Sequence, residues 1–231
     1  MITIRKSEDR GSSRLSWLDS KHTFSFAEYY DTKFMHFGNL RVINEDTVKP
    51  GQGFGTHSHQ DMEIISYVIE GQMEHKDSMG TGSVIIPGEI QRMSAGTGVQ
   101  HSEFNHSNKE LLHFLQIWII PNQIGIKPSY EQKTLDKIAN QWNLIADEQG
   151  SDKVLKIHQD VRIYAAYLSH KHRLDYKPAD DRQVWIQVVK GTLLVNQESL
   201  SAGDGAAVSR ESSIVCEAIT DAEILLFDLA Q

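Results

Sequence analysis

The chain has 231 residues, 39% of them hydrophobic, and a net charge of −8, which allows one large all-β domain or two of ordinary size and a substantial core in either case. The acidic balance and the absence of a lysine- and arginine-rich run exclude a general nucleic-acid binder, because tracking phosphates needs clustered cations. Met1 to Glu8 has no charged stretch leading into an apolar core, and the longest apolar stretch, Leu111 to Pro121, contains His113 and Gln116 and is too short for a bilayer. The expectation is a cytoplasmic protein with no signal peptide and no membrane contact. Cys216 is the only cysteine and lies in an alternating apolar segment, so a buried structural thiol is expected.

In chain order, short β-like segments punctuated by glycine and proline dominate. Strands are predicted over Leu40 to Asn44, His57 to Glu70, Gln72 to Asp77, Ser83 to Pro87, Gln91 to Ser94, His101 to Asn105 and Leu111 to Ile120. Beyond Pro128 the pattern loosens, and Lys133 to Ala146 reads as a helical connector that ends at the Gly150-Ser151-Asp152 turn. A second set of strands is predicted over Val154 to His158, Val161 to Leu168, Val184 to Val189, Thr192 to Val195, Ala206 to Ser209, Ile214 to Ala218 and Glu223 to Leu229. Such spacing favours two sandwiches or barrels, divided as residues 1–130 and 131–231. Matching landmarks, Ile65 to Gly71 against Trp185 to Gly191 and Pro87-Gly88 against Ala202-Gly203, have the look of an internal duplication.

Chemistry concentrates in the first half. Of eleven histidines, eight precede residue 114. Two dyads stand out: His57-Ser58-His59 and His101-Ser102-Glu103. In a strand, residues at i and i+2 share a face, so two such strands facing one interior aim three imidazoles and one carboxylate at a point. That donor set suits a divalent first-row transition metal better than calcium, magnesium or a thiolate-bound zinc. Four protein ligands leave positions open on an ion that takes five or six, which marks a catalytic centre. By the same alternation, Glu63 and Asp61 share the face of His57 and His59, so periodicity alone does not exclude Glu63 as the acid ligand. His170-Lys171-His172 sits in a polar segment between strands with no partner dyad and reads as a surface loop. Gly51, Gly53 and Gly55, and Gly96 and Gly98, precede the two dyads and permit positive φ and close packing; they lack the strand-to-helix setting of a dinucleotide fingerprint.

Gly51-Gln-Gly-Phe-Gly-Thr-His57-Ser-His59-Gln-Asp-Met-Glu63 resembles the first cupin motif, and Gly96-Thr-Gly98-Val-Gln-His101-Ser-Glu103-Phe-Asn105 the second. Trp17 to Ser20, His22 to Phe26, Phe54 to His57 and Met93 to Gly98 resemble signatures of the pirins, and the likeness runs the whole chain. The resemblance implies an all-β bicupin, two jelly-roll barrels packed side by side, with one metal in the amino-terminal half and a degenerate second half. It implies His57, His59, His101 and Glu103 as ligands, with Glu63 hydrogen-bonding behind them. It also implies Fe(2+) as the ion, although Mn, Co, Ni, Cu and Zn suit the same donors.

The expected activity is that of a dioxygenase cleaving the heterocycle of a flavonol such as quercetin with O2 and releasing CO. Glu103 or a neighbouring carboxylate would take the enol proton, and Phe24, Phe26, Phe37, Phe54 and Trp118 are candidate pocket walls. The other reading implied by the resemblance is an iron-dependent redox or metal sensor that binds a protein partner and turns nothing over. A purely structural zinc is disfavoured by the single, distant cysteine.

Overall fold

A computed structural model describes residues 1–231, and it is β throughout except for a single 3-10 turn at Ser7–Asp9. Four sheets, antiparallel apart from one short parallel pair between Trp142–Asp147 and Leu155–Lys156, stack in two pairs. In the first barrel a seven-stranded sheet carries Leu40–Val48, Glu63–Glu70, Glu89–Ser94 and Leu112–Ile119, and a four-stranded sheet carries Gly53–His59, Val99–Asn105, Met73–Asp77 and Gly82–Ile85. The second barrel repeats the plan, with Val161–Leu168, Arg182–Lys190, Gly205–Ser209 and Ala222–Ala230 in its large sheet and Arg173–Tyr176, Ile214–Ala218, Thr192–Val195 and Glu198–Ser201 in its small one. The bicupin expected from the resemblance is the observed architecture, and no helix is long and apolar enough to cross a membrane.

The barrels exchange edges. Ile2–Arg5, at the start of the chain, pairs with Gly205–Ser209 of the second barrel, whereas Ser129–Thr134 closes the far edge of the first sheet against Glu89–Ser94. The helical connector expected over 133–146 does not form. Lys133 and Thr134 are hydrogen-bonded into the edge ladder opposite Ile90 and Glu89, and Trp142–Asp147 is already a strand of the second sheet. Pairing with a waiting sheet edge overrides a weak helical preference.

The two large sheets face each other, and the largest apolar cluster, 23 buried residues, lies between them rather than inside either barrel. Ile43, Ile65, Tyr67, Leu115 and Ile117 meet Ile163, Trp185, Leu225 and Phe227 there. This explains why Glu63–Glu70 and Ala222–Ala230 read as nearly continuous apolar runs: one face looks into a barrel and the other onto the neighbouring sheet.

The two interiors differ in kind. Sixteen apolar residues, among them Leu193, Val195, Ile214 and Cys216, fill the second barrel, where burial pushes the Cys216 thiol up to about 12. The first barrel has only clusters of seven and four apolar residues. Between them runs a polar belt, in which His22, Asn44, Gln116, Ser66 and Gln91 are successive cross-strand partners on the inner face of the large sheet.

Candidate metal centre

Val99–Asn105 alternates perfectly between buried and outward residues, so His101 and Glu103 both look into the first barrel. His101 lies directly across from His57 on one side and from Asp77 on the other, and Glu103 across from Phe54 and from His75. Between these pairs the strand Gly53–His59 carries an extra residue, a β-bulge. The bulge shifts the parity of the strand, so Phe54 and His57, three residues apart, both face inward. Gly53 makes the crossing possible: a Cβ there would stand 2.3 Å from the Glu103 carbonyl oxygen and 2.5 Å from the Phe104 Cα.

Ring nitrogens of His57, His59 and His101 lie within 4.8 Å of one another, and His101 also groups at that distance with His75 and the Glu103 carboxylate. The ring centroids of His57 and His101 are 4.4 Å apart, and that of His59 is 4.8 Å from the first and 4.9 Å from the second. His57 donates Nδ1–H to the Gly55 carbonyl at 2.8 Å, which leaves Nε2 as a lone-pair donor. Burial and the neighbouring His101 and His57 rings push His59 down to about 4. His101 is pushed to about 3, by burial and by His57 and His75. Both rings are therefore neutral at pH 7, the form that binds a metal.

His101 is buried, yet neither Nδ1 nor Nε2 has a hydrogen-bond partner. An orphaned buried polar atom costs about 1–3 kcal/mol, and a metal ion would satisfy the lone pair. The donor set and this orphaned ring fit a divalent transition metal. Glu103 is held as an acceptor: Gln116 Nε2–H donates to Oε2 at 2.6 Å and the Ser66 hydroxyl to Oε1 at 3.1 Å, and Gln91 Nε2–H in turn donates to Ser66 at 2.8 Å.

Glu63 does not stand behind His57, His59, His101 and Glu103. The chain leaves the small sheet after His59, turns through Asp61 at φ 47° and enters the large sheet at Glu63, so strand alternation cannot be counted across the gap. Glu63 is buried beside Arg92 and accepts from the backbone N–H of His158 in the second barrel at 3.3 Å. Asp61 accepts from the backbone of Gly125 at 2.7 Å. The group that does lie behind His101 and Glu103 is His75, fully buried and donating Nε2–H to Asp77 at 3.1 Å. Its i+2 relation to Asp77 was available as a third dyad, but nothing local distinguishes that pair from the eleven-histidine background. His170 and His172 lie in a turn through Lys171 at φ 64°, with the His170 N–H bonded to Asp221, as expected for a loop.

A cavity of about 210 Å³ opens beside His57, His59 and Glu103, walled by Leu18, Phe26, Phe54 and Trp118. Trp118 meets His59 edge-on at 5.0 Å. Phe24 and Phe37, also considered as walls, instead pack on Trp185 between the barrels at 4.9 and 5.7 Å.

Residues 3–119 match the family model described as Pirin, and residues 144–229 that of the quercetinase C-terminal cupin domain. Over 99% of both chains the protein is 49% identical to one from Escherichia coli (strain K12) named quercetin 2,3-dioxygenase. It is 37% identical, over 100% of both chains, to a pirin-like protein of Caulobacter vibrioides. The crystal structure of the bacterial pirin YhhW of Escherichia coli in complex with nickel(II) superimposes with a TM-score of 0.96 at 48% identity, covering 100% of this chain and 99% of that one. A quercetin 2,3-dioxygenase of Acinetobacter baumannii, at 20% identity and a TM-score of 0.80 over 99% of this chain and 85% of its own, shares the fold. Two barrels on one plan, the imidazole cluster confined to the first, and full-length similarity at this level place the chain in the pirin family of bicupins.

Proposed function

We propose that this protein is a metal-dependent dioxygenase that cleaves the heterocycle of a flavonol such as quercetin with O2 and releases CO. The observation that carries the reading is His101, buried with both ring nitrogens unpartnered, in a cluster with His57 and His59 that opens onto an aromatic-walled cavity. The names of full-length relatives support it. His57, His59, His101 and Glu103 would hold a single divalent ion, with iron as the native metal. When bound, that ion supplies Lewis acidity and an electron route to dioxygen.

The chain's own residues do the rest. Phe26, Phe54 and Trp118 flank a slot suited to a flat ring system and exclude water from it. Glu103 takes the proton of the flavonol enol: its oxygens accept from Gln116 and Ser66 and keep further lone pairs free for that proton. Both atoms of O2 end in the ring-opened ester, the carbon that bore the enol hydroxyl leaves as CO, and Glu103 returns its proton to the new carboxylate of the product.

Elemental analysis of protein purified from its own host, followed by oxygen-electrode and CO assays with quercetin, tests the reading. One equivalent of transition metal with matched O2 consumption and CO release is expected. Stoichiometric metal without turnover of any flavonol would overturn the catalytic reading in favour of a metal-sensing regulator.

A further inference from the structure

The wall of the cavity opposite the imidazoles is polar and belongs to the large sheet: Ser13, Ser20, His22, Asn44 and Asp46. Most of it is already paired. The Ser13 hydroxyl donates to His22 Nε2 at 2.8 Å and His22 Nδ1–H to Asn44 Oδ1 at 2.9 Å. Asp46 is different. It is 4% exposed, it stands across from Ser20 and Phe114 on neighbouring strands, and its Oδ1 has no partner. The Ser20 hydroxyl opposite is the one side chain that hydrogen-bonds this carboxyl group, which lines the cavity with acceptor capacity to spare, and a hydroxyl entering the cavity would fill it. Among the other lining residues, Trp118 is unpartnered at its indole N–H.

We propose that Asp46 is a specificity-determining residue that hydrogen-bonds a ring hydroxyl of the flavonol other than its enol, so that the cavity selects polyhydroxylated over unsubstituted ring systems. The inference rests on the dioxygenase reading for the identity of the ligand. Glu103 and Asp46 line the same cavity, so a flavonol whose enol sits at Glu103 has its other ring hydroxyls in the space that Asp46 borders. Burial, with Glu103 and Glu45 adding and the Ser20 hydroxyl opposing, pushes the Asp46 carboxyl up to about 7. Toward a phenol hydroxyl a carboxyl group serves in either form, accepting as the carboxylate and donating as the acid. A site built to pair a hydroxyl discriminates against the analogue that lacks it far more than an apolar pocket discriminates by size.

The test compares quercetin with 3-hydroxyflavone, which keeps the enol and loses every other hydroxyl, on the metal-loaded full-length protein. Dissociation constants by calorimetry and the KM and kcat of O2 uptake are measured for wild type, Asp46→Asn and Asp46→Leu. Asp46→Leu should weaken quercetin by about tenfold or more in Kd and KM, shift 3-hydroxyflavone less than twofold, and leave the kcat ratio of the two substrates near its wild-type value. Asp46→Asn should fall between. Equal loss for both compounds would make Asp46 structural, and no loss for either would remove it from the ligand's path; both results overturn the proposal. Wild type that binds both flavonols without consuming O2 defeats the catalytic reading alone, because the Kd comparison still decides the role of Asp46. Wild type that binds neither defeats both.

Discussion

Gln116, on the inner face of the large sheet, donates to Glu103 of the small sheet at 2.6 Å, so the carboxylate is tied to the wall that faces it. Ser66, beside Gln116 in the polar belt, holds the other oxygen. Groups that orient a ligand from behind typically account for 10–100-fold in metal affinity. Gln116→Leu should therefore weaken nickel or iron binding by about that factor with little change in fold. Calorimetric titration of metal into the apo protein, with circular dichroism as the control, measures it; unchanged affinity would show that Glu103 needs no such support.

His101→Ala removes the one imidazole shared by both clusters. Metal content should drop from near stoichiometric to near zero and O2 uptake with quercetin should vanish. Thermal unfolding of the apo form should move little, since the ring has no hydrogen bond to lose. Plasma emission analysis of the purified variant reads the outcome.

Gly53 lies just outside the bulge and Gly55 within it, and the two differ in surroundings. A Cβ at 53 meets the Glu103 carbonyl, whereas at 55 nothing lies within 4 Å. Gly53→Ala should destabilise the protein by about 1–3 kcal/mol through overpacking and reduce metal affinity by displacing Glu103. Gly55→Ala should stay within about 0.5 kcal/mol. Urea unfolding of the two variants side by side distinguishes them.

The buried titratable groups give stability contributions of opposite sign with pH. His59 and His101 titrate near 4 and 3 in the fold instead of the ordinary 6.5, so between those values only the unfolded chain takes up protons and stability falls as the solution is acidified. Asp46, raised from 3.8 to about 7, holds a proton only in the fold across that interval, and its contribution is lost as pH rises through it. Asp46→Asn should thus gain stability over wild-type apo protein at pH 8 relative to pH 4. Chemical denaturation at both values checks the sign.

Glu63→Gln breaks the contact with Arg92 and weakens the link to His158 across the barrel interface. A loss of about 1–3 kcal/mol in unfolding free energy is expected, with metal stoichiometry and affinity intact. A change in metal binding would return Glu63 to the site.

The sequence by itself determined the fold class, the two-barrel plan, the confinement of ligand-type side chains to the first half and the donor types, because each is written locally. Alternation along one strand places His57 with His59 and His101 with Glu103 wherever the strand lies. Tertiary structure alone decided what lies opposite what. The bulge that turns Phe54 inward depends on pairing with Val99–Asn105, the placement of Glu63 in the other sheet depends on a turn through Asp61, and His75 reaches Glu103 only across a ladder. The strands at Ile2–Arg5 and Ser129–Thr134 were unreadable for the same reason: they are edge strands that fold where a neighbouring sheet offers free N–H and C=O groups, and no local pattern records that offer.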